Sequence, residues 1–449
     1  MKKQNAFVRS VCTLAVPAAL QSMLQCSFSL VDQIMIGQLG AVCVAGVGLA
    51  GKFASMYTVV ISAVGAAAGI MLSQYLGQKK TAAVRRSFYA NLLLGTAIAG
   101  VFTVICALLS YPVMCVYTKD GQTRQTAAQY LARLSGSFLP MAGAMLLAAA
   151  FRCAEKPRFA LYSGIASALF NTVLNAVLIF GRLGFSAMGA NGAAIATTVS
   201  QCVNFLLMLL MAFRHLPFLK PDRGQDAAAR LDHGRYLSIL LPLLVCEALW
   251  SLGENVYAAI YGHMNTEASA AMTLTAPVQG LVTGALCGLS QAAGVIVGKR
   301  LGGGDDAGAY WAAKRLLVYG LIGSAILSAA VIAGSSVYPE LYQVDRAVKT
   351  AAQQLLFVYA FLAPFKVLNM ILGGGILRSG GRTAYVMLID MAGTWCFGVP
   401  LGLLSAFVLR LSIPFVYLLL SLEECVRFGI SMAVFRRRSW VGRLEAGKD

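Results

Sequence analysis

Six carboxylates interrupt stretches of the chain that are otherwise almost free of charge: Asp32, Glu247, Glu254, Asp390, Glu423 and Glu424. A carboxylate in the middle of a bilayer costs about 2.5–3.5 kcal/mol on insertion scales, so it normally faces water, a cation or a donor. The chemistry open to such groups is uptake of a proton or of a small cation. Asp32 follows Gln21 by eleven residues. At about 100° per residue this puts both nearly on one helical face, with Gln25 close by. Asp32 reads either as a cavity-lining group that takes up a proton or cation, or as an interfacial residue near headgroups. Glu247 and Glu254 are seven residues apart, again on one face and roughly 10 Å apart along a helix. Glu247 lies deeper in its apolar run and is the better proton carrier. Glu254 lines a cavity or pairs with a distant cation.

Lys366 also sits within an apolar run. A buried ammonium is costly alone, so a carboxylate partner is expected, with Asp390 or Glu247 as candidates. The pair is either a charge relay that changes with protonation or a structural ion pair; Lys52 poses the same question. Asn171 and Asn175 are i, i+4 and stack on one face. With Thr197, near GAAIATT, they offer neutral oxygens for a cation or substrate, or they bond neighbouring helices. Glu423 and Arg427 are one turn apart and read as a local ion pair.

The elements that position these groups follow from composition. Of 449 residues, 58% are hydrophobic and 12% charged, and the mean hydropathy is +0.72. A soluble protein carries about 25% charged residues, so a water-soluble enzyme is excluded. Crossing a bilayer takes about 20 mainly apolar residues as a helix. Twelve such runs are present, roughly 11–36, 43–76, 88–113, 126–150, 159–181, 191–213, 237–262, 268–298, 316–337, 351–375, 384–407 and 414–434. The opening segment, with Pro17, reads as a retained first helix rather than a cleaved signal. The expected fold class is all-α integral membrane.

With both termini assigned to the cytoplasm, 27 of the 36 Lys and Arg fall in inside segments and 6 outside. This positive-inside bias indicates a multi-pass protein of the cytoplasmic membrane with both ends inside. It also accounts for the net charge of +18 without nucleic acid, because these charges face anionic lipid. The eleven Cys lie at irregular spacings with no CxxC pair, and the three His (His215, His233, His263) fall in loops. No P-loop, HExxH or GxSxG motif occurs, and GGGD at 302–305 lacks the lysine of a phosphate cradle. An intramembrane enzyme would need a catalytic pair that is not found.

The two halves repeat. Pro17 matches Pro242, and VGAAAGIMLSQYLG (64–77) matches LSQAAGVIVGKRLG (289–302), an offset of 225 residues that pairs Gly77 with Gly302. Six spans repeated in six spans share one orientation and leave a cleft suited to alternating access. The expected divisions are an N-terminal six-helix lobe (1–213), a linker (214–236), a C-terminal six-helix lobe (237–434) and a cytoplasmic tail (435–449).

The order of VDQIMIGQLG (31–40), SQYLGQKK (73–80), NTVLNAVLIFGRLG (171–184), MGANGAAIATT (188–198), LPLLVCEALWSLG (241–253), ILRSGG (376–381) and LIDMAGTWCFGVPLG (388–402) resembles bacterial members of the multidrug and toxic compound extrusion (MATE) family. The resemblance covers nearly the whole chain. It implies twelve helices in two six-helix lobes forming a V, and export of organic cations and other amphiphilic compounds in exchange for H⁺ or Na⁺. It places the family's first-helix acid on Asp32, its fifth-helix polar pair on Asn171 and Asn175, and its seventh-helix acid on Glu247. Where archaeal relatives carry a second acid, this chain has Asn175, which removes a charge from the first lobe. Where other members carry a tenth-helix acid, this chain has Lys366, with Asp390 one helix later. The implied coupling site then lies in the second lobe or is shared.

The expected function is thus a cation-coupled antiporter, with Asp32, Glu247, Asp390 and Lys366 in ion coupling. Gln21, Asn171, Asn175, Thr197 and Glu254 line the cavity. The expected partners are small amphiphilic organic substrates and membrane lipids, with no nucleic acid, no cofactor beyond the coupling ion, and a monomeric state. The alternative is a flippase for lipid-linked saccharides from the wider superfamily. Acids outnumber bases within the spans, which favours cationic cargo over pyrophosphate.

Overall fold

The structure, a computed structural model, describes residues 2–219, 233–342 and 344–444. Every element among them is helical, as long apolar runs require when no water is at hand for their backbone. In chain order these are α1 (Lys2–Gly37), α2 (Ala41–Gly77), α3 (Thr81–Leu108), α4 (Ser110–Tyr117), α5 (Gly121–Leu134), α6 (Phe138–Cys153), α7 (Arg158–Phe180) and α8 (Ala190–His215). They continue as α9 (His233–Met264), α10 (Thr266–Gly302), α11 (Asp306–Gly334), α12 (Arg346–Asn369), α13 (Thr383–Met391), α14 (Val399–Leu403), α15 (Ile413–Ser421) and α16 (Glu423–Arg436).

Among the described residues, eleven stretches are long and apolar enough to cross a bilayer. Several expected spans arrive in pieces. The fourth is α5 and α6, joined by the 3-10 turn Ser135–Ser137. The tenth continues from α12 into a wider π-helical segment, Met370–Leu377, and the eleventh alternates α13 and α14 with π-helical Ala392–Gly398 and Leu404–Val408. The twelfth breaks at Leu422 into α15 and α16. Glu423 and Glu424 open α16, where the helix dipole favours carboxylates. Of the expected linker, residues 220–232 lie outside the described residues.

By contacts, the chain forms two compact units. The first gathers Met1–Ser22, Ser73–Lys80 and Asp232–Ala446; the second has Met23–Leu72 and Thr81–Leu231. The repeat divides the chain by order, whereas contacts assign the leading part of α1 and the closing part of α2 to the unit built by the second half. Packing within that unit explains the assignment. Phe7 meets Trp311 edge-on, with ring centroids 4.9 Å apart, and Arg300 lies over both rings. At the end of α2, a Cβ on Gly77 would collide with the Lys299 carbonyl, and one on Gly302 with the Gln74 carbonyl. Residues 74 and 299 stand at the same offset as 77 and 302, so the crossing of α2 and α10 is nearly symmetric. Glycine permits this close backbone approach.

The stretch read as a tail packs against that crossing through Leu444. Trp440 is fully buried beside Phe435. The Leu444 N–H donates to Gln74 Oε1 at 2.7 Å, and Gln74 Nε2 donates to the Ser379 carbonyl at 2.6 Å. Deeper in this unit, Tyr257, Leu274, Leu355, Tyr359, Val416 and Leu420 form part of an apolar core. In the second unit, Tyr57 is fully buried, stacks on Phe138 at 4.4 Å and donates to its carbonyl at 2.6 Å.

Overfilling a packed contact typically costs about 1–3 kcal/mol. Gly77→Leu and Gly302→Leu should each lower the thermal midpoint of the detergent-purified protein. The double variant should lose less than the sum, because both strain one crossing. Unchanged midpoints would contradict the close approach.

Candidate functional site

Two polar assemblies are buried in the otherwise apolar helices, one in each unit. In the second unit, Asp32 on α1 faces Asn171 and Asn175 on α7. Asn175 is 1% exposed and donates from Nδ2 to Asp32 Oδ1 at 2.7 Å. Asn171, with its amide turned to present nitrogen, donates to both carboxylate oxygens at 3.0 and 3.2 Å. Helical spacing had placed the two amides on one face, and here they converge on one carboxylate. The Asn175 Oδ1 atom is buried without a hydrogen-bond partner. Thr197 on α8 is half-buried, and among the described residues no hydrogen bond joins it to this trio. Gln21 is half-buried on the part of α1 that packs with the first unit.

In the first unit, a cavity of about 430 Å³ shares walls with a second of about 290 Å³. Trp250, Glu254, Gln279, Lys366, Glu424 and Arg427 line both. Five acids and three bases face these spaces: Glu247, Glu254, Asp390, Glu423 and Glu424 against Lys366, Arg378 and Arg427. The expected residues Glu247, Glu254, Lys366 and Asp390 are therefore gathered in one place. Their pairing differs from expectation.

Glu247 is bonded to Arg378, Nη1 to Oε1 at 3.0 Å. Asp390 accepts from Cys246 Sγ at 2.9 Å and lies 3.9 Å from Arg427. Neither holds Lys366, which makes no ion pair within 4 Å among the described residues. The pairing has a physical cause. Each carboxylate is claimed by a guanidinium, whose planar fork suits carboxylate geometry better than an ammonium does. Arg427 also reaches Glu423 at 3.4 Å, as their one-turn spacing implied, and donates to the Thr394 hydroxyl. Tyr257 donates to Glu423. Asn369 Nδ2 donates to Glu424 Oε2 at 2.8 Å.

Arg378 lies between the tenth and eleventh apolar runs of the sequence. It follows the π-helical Met370–Leu377 directly and keeps its side chain 16% exposed. Asn369, Gln279 and Tyr257 carried no signal beyond being polar groups in apolar runs.

The profile of the family described as MatE matches residues 17–177 and again 242–404. The two matches begin at Pro17 and Pro242, the first pair of the internal repeat. Among curated proteins, the chain is similar to a probable multidrug resistance protein NorM of Mesorhizobium japonicum. That protein is 26% identical over 418 residues, covering 89% of this chain and 87% of the relative. It is also similar to an uncharacterized transporter, YisQ, of Bacillus subtilis, 20% identical over 442 residues and 98% and 97% of the two chains. Among solved structures, a Vibrio cholerae MATE transporter superposes with a TM-score of 0.89 at 15% identity over 98% of each chain. The flippase alternative is not favoured by these relatives.

Stranding one partner of a hydrogen-bonded charge pair costs about 1.5–3 kcal/mol. Arg378→Gln should therefore lower the thermal midpoint, and adding Glu247→Gln should recover more than half of the loss. Strictly additive losses in scanning fluorimetry would show that the two side chains do not stabilise one another.

Proposed function

The chain belongs to the MatE family, whose members are multi-pass membrane transporters rather than enzymes, and on that premise we propose that it exports small amphiphilic or cationic organic compounds by alternating access in exchange for protons. Asp32 is the carrier of the coupling proton in this reading. The observation that carries it is the setting of that carboxylate. Both neighbouring amides aim nitrogen at it, which supports an ionised carboxylate without a bound metal cation. An amide that turns over offers oxygen instead, and can then accept from a protonated Asp32. A sodium ion would need several oxygens converging on one point. A proton shifts the transporter only if it binds one facing state more tightly than the other.

The membrane is the cytoplasmic one, with both chain ends inside; the lopsided placement of Lys and Arg supports this orientation. In cells carrying a variant stripped of exposed cysteines, Phe185→Cys should react with an impermeant thiol reagent and Arg158→Cys should not. The reverse pattern would invert the topology.

The coupling test uses proteoliposomes loaded with a fluorescent organic cation. A pH gradient alone should drive transport and a Na⁺ gradient alone should not. Asp32→Asn should cut pH-driven transport by about tenfold or more, since it removes the group whose differential proton affinity biases the states. Transport driven by Na⁺, or full pH-driven transport by the variant, would reject proton coupling through Asp32.

A further inference from the structure

Residues 439–444, which follow α16, run as a strap that touches helices from both copies of the repeat. The second copy holds them through backbone contacts and packing. Trp440 is fully buried and stacks on Phe435. The Ser439 carbonyl accepts from Arg382 Nη1 at 2.8 Å, and the Arg443 carbonyl accepts from Arg235 on α9. Arg443 Nη2 donates to Asp306 Oδ2, at the start of α11, at 2.8 Å. A Cβ on Gly380 would meet the Trp440 carbonyl, and one on Gly442 the Gly380 carbonyl. The first copy holds the strap differently, by the amides of Gln74 and Gln78 at the end of α2. Gln74 Oε1 accepts from the Leu444 N–H at 2.7 Å, and Gln74 Nε2 reaches the Gly442 carbonyl at 3.4 Å. Gln78 Nε2 donates to the Leu444 carbonyl. At the repeat offset these two positions are Lys299 and Gly303 in α10 and just beyond it, so the second copy carries no such amide pair.

We propose that this strap is a releasable latch on the cytoplasmic side: it holds the last turns of α2 against α10 while that side is shut, and lets go of Gln74 and Gln78 when that side opens to admit cargo. The inference rests on the reading of the chain as an alternating-access exporter with both ends inside, and it adds a conformational control to that reading. An exporter loads from the cytoplasm. Rocking one repeat copy against the other then has to part equivalent helices at the cytoplasmic face, and α2 and α10 are equivalent and meet through Gly77 and Gly302. Parting them strains whatever is fixed to both. The strap's hold on the second copy includes a buried indole and an ion pair, so the strap stays there and the glutamine bonds break. Gln74 is fully buried, and its amide would be stranded by a loosening that admits no water. Opening does admit water, which replaces the lost partners, so release costs much less than the bonds are worth in isolation. Neutral amides suit this task, because charge-assisted bonds at the same place would be roughly twice as strong and slower to yield. The latch thus biases the equilibrium toward the shut state without barring the open one.

The test has two arms, both on the full chain stripped of exposed cysteines. In the first, spin labels at Lys80→Cys and Ala307→Cys, two exposed positions beyond the ends of α2 and α10, report their separation in detergent by double electron–electron resonance. The parent protein should give mainly the short distance. Adding Gln74→Ala and Gln78→Ala should raise the long-distance population about tenfold. Size-exclusion profiles verify that each variant is folded. In the second arm, Gln78→Cys and Leu444→Cys are joined by a cleavable bis-methanethiosulfonate reagent and reconstituted in proteoliposomes. Transport of a fluorescent organic cation under a pH gradient should stop on cross-linking and return on reduction. A clasp that serves stability alone would lower the thermal midpoint of the glutamine variant, leave the distances unchanged and let the cross-linked protein transport. Unchanged distances, or transport that persists through the cross-link, would overturn the proposal. The distances are read without transport, so the two inferences fail separately: a reduced protein that moves no cargo counts against the exporter reading, and the distances alone then decide on the latch.

Discussion

A guanidinium removed from water has to be surrounded by acceptors, and much of the second half of the chain is arranged to meet that demand at Arg427. Its fork reaches Glu423 on its own helix, Asp390 on α13 and Thr394 in the π-helical stretch that follows. Three separately folded pieces are tied at one side chain. Two departures from regular helix geometry serve this junction. The break at Leu422 starts α16 at Glu423, and the wider turns from Ala392 to Gly398 bring the Thr394 hydroxyl into reach. Such turns cost regular hydrogen bonding and recur where polar chemistry is concentrated. Losing Arg427 would strip Glu423 and Asp390 of the guanidinium they share.

The two units answer the same problem with different chemistry, although the repeat shows a common ancestry. In the second unit a single carboxylate, Asp32, is stabilised by two neutral amides. An amide can donate to a charged oxygen or accept from a protonated one, so the setting is compatible with either state. In the first unit eight charged groups line two adjoining cavities, and guanidinium groups pair with three of the five carboxylates.

Much of this was legible in the order of residues. Apolar runs marked the helices, the constant offset marked the repeat, and one-turn spacing placed Asn171 beside Asn175 and Glu423 beside Arg427. Legibility failed where contact depended on a different helix or an irregular turn. Lys366 offered no way to rank its possible partners, because two arginines far along the chain compete for the same acids. Arg378 looked like a loop charge because Ser379, Gly380 and Gly381 follow it, yet a π-helical segment carries the helix past Leu377 and turns its side chain toward Glu247. The grouping of the leading part of α1 with the second half depends on Phe7, Trp311 and Arg300 meeting, a three-way contact that no local pattern encodes.

The crossing of α2 and α10 has an implication for how such a chain arose. Gly77 rests on the carbonyl of residue 299, and Gly302 on that of residue 74, so each copy of the repeat presents to the other the same glycine and the same carbonyl. A surface of this kind is complementary to itself. A protein half this length, carrying one copy, would have met a second molecule of its own kind through it, as the subunits of a two-fold homodimer do. Fusion of the genes would then have kept the contact while freeing the two copies to diverge, one toward amides and the other toward ion pairs.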